Sequence, residues 1–484
     1  MTLLRSFSRG VFAAPLLAAL TISPAVAQPR PLADRVVGNW EGALAVSALS
    51  LRLAFTVQKD PAGALAGILT SIDQGGTQFP FTVSLPGDSL VRFEVAAIGG
   101  AFAGKPSADG DSLDGAWSQG GGTLPLKLRR VVQITTPRRP QEPRGPFPYS
   151  AQEVTFTSAD SGVTLAGTLT LPPGTGPHPA VILVTGSGAQ DRDESLLGHK
   201  PFAVLADHLT RQGIAVLRFD DRGEGRSTGR FVGATSADFA RDVLGGVRYL
   251  RSRREVAPGK IGVLGHSEGG MIAPLVAVES ADVAFLVLLA GTGVPGDSIL
   301  VAQGSLIARA SGAPDAAVAR QRDVQSRMFA AVRAGGDTMA MREKLREITR
   351  ELLASLTDEE QRAAGATPQA MEQQVQMVSS PWFRWFLTYD PRPVLRRVRV
   401  PVLAINGGLD LQVPPKENLA AIEAALRAGG NRDVRTIEFP GLNHLFQTAT
   451  TGAPTEYGLI EETMSPAVLN AVAAWILERF GPGR

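Results

Sequence analysis

From about residue 151 onward the chain carries unbroken apolar runs, at Ala180 to Val184, Ile214 to Phe219, Ile261 to Leu264, Ala284 to Leu289 and Val402 to Ile405. Short apolar runs with no polar alternation describe strands buried on both faces. Amphipathic segments such as Pro201 to Gln212 and Ser236 to Arg251 lie between them. Strand, helix, strand in repetition predicts an α/β domain over 151–484, a mostly parallel sheet covered on both sides. Between about 293 and 387 the alternation stops in favour of sequence rich in Ala, Arg, Gln, Glu and Met, which predicts a helical cap inserted into that domain.

Residues 34–133 follow a different rule. Leu51-Arg52-Leu53-Ala54-Phe55-Thr56-Val57 alternates, and turns recur at Pro61-Ala62-Gly63, Gly75-Gly76, Pro86-Gly87-Asp88 and Asp109-Gly110-Asp111. Short, regularly spaced strands with one buried face predict a small antiparallel β domain, a barrel or a sandwich. Trp40 and Trp117, near its two ends, are expected to plug the core. Residues 134–150 are proline-dense, from Pro137 to Pro146, which fixes φ and removes backbone donors, so they read as a linker. Arg138 and Arg139 within it, like Arg396 and Arg397 later, are expected to be solvated charges.

At the start, Arg5 and Arg9 precede an apolar stretch from Val11 to Leu20 and then Ala25-Val26-Ala27. This is the pattern of a signal peptide over 1–27, and it predicts export to the periplasm or beyond. The sequence has no cysteine, so disulfides, thiolate nucleophiles, Cys-ligated zinc and lipoprotein anchoring are excluded. No later segment has the apolar length of a membrane span, and no stable membrane anchor is expected. The 48 basic residues nearly cancel the 46 acidic ones for a formal charge of +2, which carries no nucleic-acid footprint.

With only five histidines, candidates for a general base can be enumerated: His178, His199, His208, His266 and His444. Gly265-His266-Ser267-Glu268-Gly269 fits G-x-S-x-G, and so does Gly225-Arg226-Ser227-Thr228-Gly229; in a chain with 53 glycines the pattern alone says little. Context separates them. A nucleophile elbow needs a strand, a sharp turn and a helix, so that the serine stands exposed above the sheet edge. Lys260 to Leu264 supplies the strand and Gly270 to Ala277 the helix, whereas Ser227 lies in a glycine-rich loop well past the strand ending at Phe219.

A serine hydroxyl needs a base, which for a nucleophile elbow follows it in the chain, and only His444 does. A carboxylate must then fix the imidazole tautomer. Asp410, beyond the strand Pro401 to Ile405, is the best placed; Asp390, which precedes that strand, is the competitor. The tetrahedral oxyanion needs two N–H donors, expected from the backbone of Glu268 and of Ser187, in the loop Val184 to Gly188. Trp382 and Phe383 close the cap segment; they either wall an acyl pocket or pack the cap onto the sheet. The scheme requires no metal and no cofactor, and takes a small-molecule ester.

Taken together these residues resemble the α/β-hydrolase superfamily from about Gln152 to the C-terminus. Gly186-Ser187-Gly188-Ala189-Gln190-Asp191-Arg192-Asp193, Phe219-Asp220-Asp221-Arg222-Gly223, Ser380-Pro381-Trp382-Phe383 and the N-terminal unit with Asp73-Gln74-Gly75 resemble bacterial EstD-type two-domain esterases. That resemblance implies a carboxylic-ester hydrolase preferring short acyl chains, with kinship to serine aminopeptidases and acyl thioesterases. Thr185 departs from it, standing where many relatives carry histidine. Two other readings stay open. One is a peptidase or amidase on the same triad, with Glu268 or Asp191 anchoring an amino end. The other is a non-catalytic envelope-binding protein using the N-terminal unit. Oligomeric state is not legible.

Overall fold

The computed structural model describes residues 31–481 apart from 47–48, 88, 161, 358–359 and 362–366. The expected signal peptide lies outside the described residues. After a short helix α1 (Leu32–Val36) come β1 (Gly38–Val46), β2 (Leu49–Lys59), β3 (Leu65–Ser71), β4 (Thr77–Ser84), β5 (Val91–Val95), β6 (Gly100–Pro106), β7 (Ser112–Gln119) and β8 (Gly122–Val131). Each pairs antiparallel with the next and β8 returns to β1, so the expected barrel or sandwich is a closed barrel without free edges. Alternation of buried and exposed residues along β5 turns Val91, Phe93 and Val95 inward. The interior is filled: Phe55, Phe81, Phe93, Phe102 and Trp117 stack with ring centroids 4.9 to 6.1 Å apart. Trp40 is fully buried and donates its Nε1–H to Val36 O at 2.8 Å. Both tryptophans therefore serve the core, as expected.

The second unit is an eight-stranded sheet of β9 (Ser150–Thr157), β10 (Thr164–Leu171), β11 (His178–Val184), β12 (Ala215–Phe219), β13 (Val256–His266), β14 (Val283–Leu289), β15 (Val402–Gly407) and β16 (Val434–Phe439). The spatial order is β16-β15-β14-β13-β11-β12-β10-β9, with β12 and everything on its β11 side parallel and β9 and β10 antiparallel. One face is covered by α2 (Pro201–Arg211) and the C-terminal helix Pro466–Phe480, through Phe202, Leu205, Val468 and Val472. The other is covered by α3 (Ser236–Arg251), α4 (Glu268–Glu279) and the helix Pro415–Ala428, through Val243, Val247, Ile272 and Ile422. Between β14 and β15 stand the cap helices α5 (Gly296–Ala310), α6 (Asp315–Ala334) and α7 (Thr338–Ser355), then helices Pro368–Val378 and Pro381–Thr388. They close over their own cluster, with Phe329, Leu345, Ile348 and Phe383.

The chain direction fixes where a site can form. From β11 the chain moves to β12 on one side and then to β13 on the other, so the loops after β11 and β13 diverge above the sheet and leave a crevice there. The linker differs from expectation at one residue. Arg139 is not a solvated charge: its Nη2 donates to Leu197 O at 3.0 Å and Gly458 O at 2.8 Å, and its Nη1 to Ile460 O at 3.1 Å. A guanidinium satisfies several carbonyls at once, which lets a partly buried arginine hold separate loops by their main chain.

Candidate active site

Ser267 follows β13 and caps α4 with φ 54° and ψ −113°, a strained backbone for any residue with a Cβ. The turn closes because its glycines are bare. A Cβ on Gly265 would stand 2.0 Å from Gly269 O, and one on Gly269 2.1 Å from Val184 O. Ser267 N–H donates to Leu289 O at 2.8 Å, which ties the elbow to β14. Glu268 is the first residue of α4, where backbone N–H groups have no intrahelical acceptor and the helix end favours negative charge.

A cavity of about 330 Å³ holds Ser267 together with Ser187, Glu268 and His444. Its walls include Ile299 and Leu300 from α5, and Trp382, Phe383 and Phe386 from the last cap helix. A larger cleft of about 970 Å³, which shares Ile299 with it, is lined by Ser298, Ala302 and Ser305 of α5 and by Asp410. Ser267 and His444 line only the smaller cavity, so that is where hydroxyl chemistry can occur.

His444, in the loop after β16, is buried, and its Nδ1 stands 2.8 Å from Asp410 Oδ2. Asp410 Oδ1 accepts the N–H groups of Gln412 and Val413, both at 2.8 Å, so both carboxylate oxygens are fixed and the imidazole's Nδ1 is committed as donor. Ser267 and His444 line the same cavity. Of the competitors, Asp390 pairs with Arg392 at 2.7 Å, away from His444. Ser227 Oγ donates to Asp220 O at 2.7 Å and accepts the Ala166 N–H at 2.9 Å, a clamp on β10. Asp191 accepts the N–H groups of Asp193 and Ser195 within its own turn.

The side chain of Glu268 is fully enclosed. Its Oε1 accepts from Ser236 Oγ at 2.6 Å and Trp382 Nε1 at 2.8 Å, and the Ser187 hydroxyl bonds to the same carboxyl. Burial pushes this carboxyl above its ordinary range against the pull of those donors. Trp382 thus does two things: it stacks on Phe386 at 5.4 Å to form the cavity wall and latches the cap to the elbow through Glu268. Phe383 lines the cavity and also belongs to the cap's own cluster.

Three features escaped the sequence reading. His266, the second residue of the elbow motif, is buried with Nδ1 2.9 Å from Glu194 Oε1 and Nε2 3.0 Å from His444 O. Burial opposes a charge on this ring, yet the Glu194 carboxylate beside it holds its pKa above the ordinary histidine value. Glu194 Oε1 also accepts the Gly186 N–H at 2.7 Å, so one carboxylate joins the Ser187 loop, the elbow and the His444 loop. Its φ of 52° and its place in a non-periodic loop left no sequence signal. Below the Ser187 loop, the Asp221 side chain accepts from Thr185 Oγ at 3.2 Å and from the Gln190 N–H at 3.0 Å, which ties that loop to the end of β12. Burial raises the Asp221 pKa well above the carboxylate range.

The fold, with its elbow serine and capped parallel sheet, is that of the α/β-hydrolases. A sequence profile of the serine aminopeptidase S33 family matches residues 199–448, and the chain belongs to that family. Esterase EstD of Thermotoga maritima is 26% identical over 315 residues, which span 65% of this chain and 66% of EstD, just under two thirds of that relative's length. Among solved structures, the Pyrococcus furiosus esterase Pf2001 is 16% identical, with 73% of this chain and 98% of that one covered, at a TM-score of 0.41. Est1E of Butyrivibrio proteoclasticus, solved with ferulic acid bound, is 17% identical, with 67% and 98% covered, at a TM-score of 0.38.

Proposed function

We propose that this protein is an exported serine hydrolase that cleaves carboxylic esters with short acyl groups, with Ser267 as nucleophile, His444 as general base and Asp410 as its orienting carboxylate. The observation that carries the reading is a strained elbow serine in the same cavity as a histidine whose far nitrogen is committed to a fully hydrogen-bonded carboxylate. His444 takes the Ser267 proton as Oγ attacks the ester carbonyl. The oxyanion then forms against the Glu268 and Ser187 N–H groups, and His444 passes the proton to the leaving alcohol. Water, activated by the same histidine, releases the acid from the acyl-enzyme. The EstD likeness supports ester hydrolysis, and the small, aromatic-walled cavity of about 330 Å³ supports a preference for short acyl chains.

The family's name favours a second reading, an aminopeptidase or amidase on the same residues. An amino end needs a free carboxylate. The carboxylates lining that cavity are already engaged, Glu268 Oε1 by Ser236 and Trp382 and Glu194 Oε1 by the Gly186 N–H and His266. The test is hydrolysis of p-nitrophenyl esters from acetate to palmitate, set against aminoacyl p-nitroanilides, by the mature chain and its Ser267→Ala variant. Turnover greatest on the short esters and lost in the variant is expected. Anilide turnover exceeding ester turnover would move the amidase reading to first place.

A further inference from the structure

The barrel meets the hydrolase unit backbone to backbone. In the turn after β3, a Cβ on Gly75 would lie 2.1 Å from the carbonyl carbon of Leu197, and one on Gly458 would lie 2.3 Å from Asp73 O. Asp73 is rigidly part of the barrel, since its carboxylate accepts the backbone N–H of Arg52 at 2.7 Å and the Arg52 guanidinium at 2.8 and 2.6 Å. Arg139 closes the junction from the linker by donating to Leu197 O, Gly458 O and Ile460 O.

The two loops touched here are those that hold the hydrolytic residues from behind. Leu197 and Gly198, both at positive φ, continue the loop of Glu194, whose carboxylate fixes the Gly186 N–H and, through His266, the main chain of His444. Gly458 follows Tyr457. The Tyr457 hydroxyl accepts from Gln412 Nε2 at 3.1 Å, and Gln412 N–H in turn donates to Asp410. Gln447 Nε2 donates to Glu462 O at 3.0 Å, and its Oε1 accepts from Asn443, the residue before His444. The Ser187 loop thus reaches the junction through Glu194, and the Asp410 and His444 loops through Gln412 and Gln447, the latter also donating to Tyr457 O at 3.3 Å.

We propose that the barrel, through Asp73–Gly75 and Arg139, is a positioning element of the hydrolytic site rather than a tethered module. The proposal rests on the serine-hydrolase reading above. It requires that loosening the junction lowers kcat while substrate binding and global folding stay as they were.

The experiment uses the full mature chain and compares Gly75→Ala with Gly110→Ala. Both glycines have nearly the same positive φ, 76° and 78°, but a Cβ at Gly110 meets nothing within 4 Å. The positive φ is therefore matched, and the docking contact differs. Gly75→Ala is expected to lower kcat on p-nitrophenyl acetate by about ten- to a hundredfold relative to Gly110→Ala, the scale of a sub-ångström to ångström misplacement, with KM and near-UV circular dichroism unchanged. Equal kcat in the two variants, or a rise in KM at constant kcat, would overturn the proposal. Should Gly75→Ala not fold, Arg139→Gln carries the test with the same expected split, and wild-type kcat in it overturns the proposal. Ser267→Ala is run alongside. If it keeps turnover, the serine reading itself fails; if it loses turnover while the junction variants keep theirs, only the positioning proposal fails.

Discussion

The chain contains the same five-residue pattern twice, and the two copies have opposite fates. In Gly265–Gly269 the serine sits at positive φ between a strand and a helix, with its flanking glycines pressed against backbone. In Gly225–Gly229 the serine faces inward and spends its hydroxyl on Asp220 O and the Ala166 N–H. The second residues diverge likewise: His266 is buried against Glu194, whereas Arg226 is exposed beside Glu153. Pattern alone does not make an elbow. What makes one is a strand that ends beneath it and a loop from β11 close enough that no Cβ is tolerated.

The strongest way to break this contrast is Ser267→Ala. Loss of the nucleophile in a working triad costs about 10⁶-fold in kcat, and loss of that order on p-nitrophenyl acetate is expected with an unchanged melting temperature. Retained turnover would make the two motifs equals. Next comes Asp410→Asn, which keeps the shape but no longer enforces the Nδ1–H tautomer of His444; a loss of about 10⁴-fold in kcat is expected, with KM little altered. A loss of less than tenfold would hand the carboxylate role to another residue.

Glu194 sharpens the contrast at the second motif position. Glu194→Ala leaves the Gly186 N–H and His266 Nδ1 without their shared acceptor in a buried place, at a cost of about 1–3 kcal/mol for each group. Steady-state kinetics should show kcat lowered by about ten- to a hundredfold through the displaced loops. Glu194→Gln removes only the charge. Because the folded pKa of His266 is raised, its contribution to stability is fully present below the unfolded histidine value of about 6.5 and is lost as pH rises through the raised one. Melting temperature measured from pH 5 to 9 should therefore fall on the alkaline side in the wild type, and this component should be absent in Glu194→Gln. Identical pH profiles would remove the ion pair from the account.

The site candidates legible in the sequence are those whose position carries a local mark. Ser267 follows an apolar run and precedes a helix, Asp410 and His444 each stand in a loop just past a strand, and chain order did the rest. The barrel was legible from its period-two alternation, although only the β8–β1 pairing distinguishes it from a sandwich. Glu194, Gln447 and Arg139 carry no such mark, because their roles come from contacts across loops without periodicity. Arg139 looks like any linker charge until Leu197, Gly458 and Ile460 surround it. Trp382 was legible as a candidate for the wall, but its bond to Glu268 joins residues 114 apart in sequence.

The smallest effect on turnover belongs to the other copy of the motif, and it is the most discriminating. Ser227 Oγ stands between two backbone groups that bring the loop after β12 onto the edge of β10, and Thr228 adds its own N–H to Thr164 O at 2.8 Å. Replacing Ser227 with alanine leaves the Ala166 N–H and Asp220 O without that partner. Ala166 is almost fully buried, so its N–H cannot turn to water without local opening. A loss of about 1–2 kcal/mol is expected, read as a melting temperature lower by a few degrees. Since β10 lies on the far side of β12 from β11 and β13, kcat and KM should stay within about twofold of wild type. A variant stable as wild type but slow would mean that this loop feeds the site after all, and that the two motifs differ less than their backbones suggest.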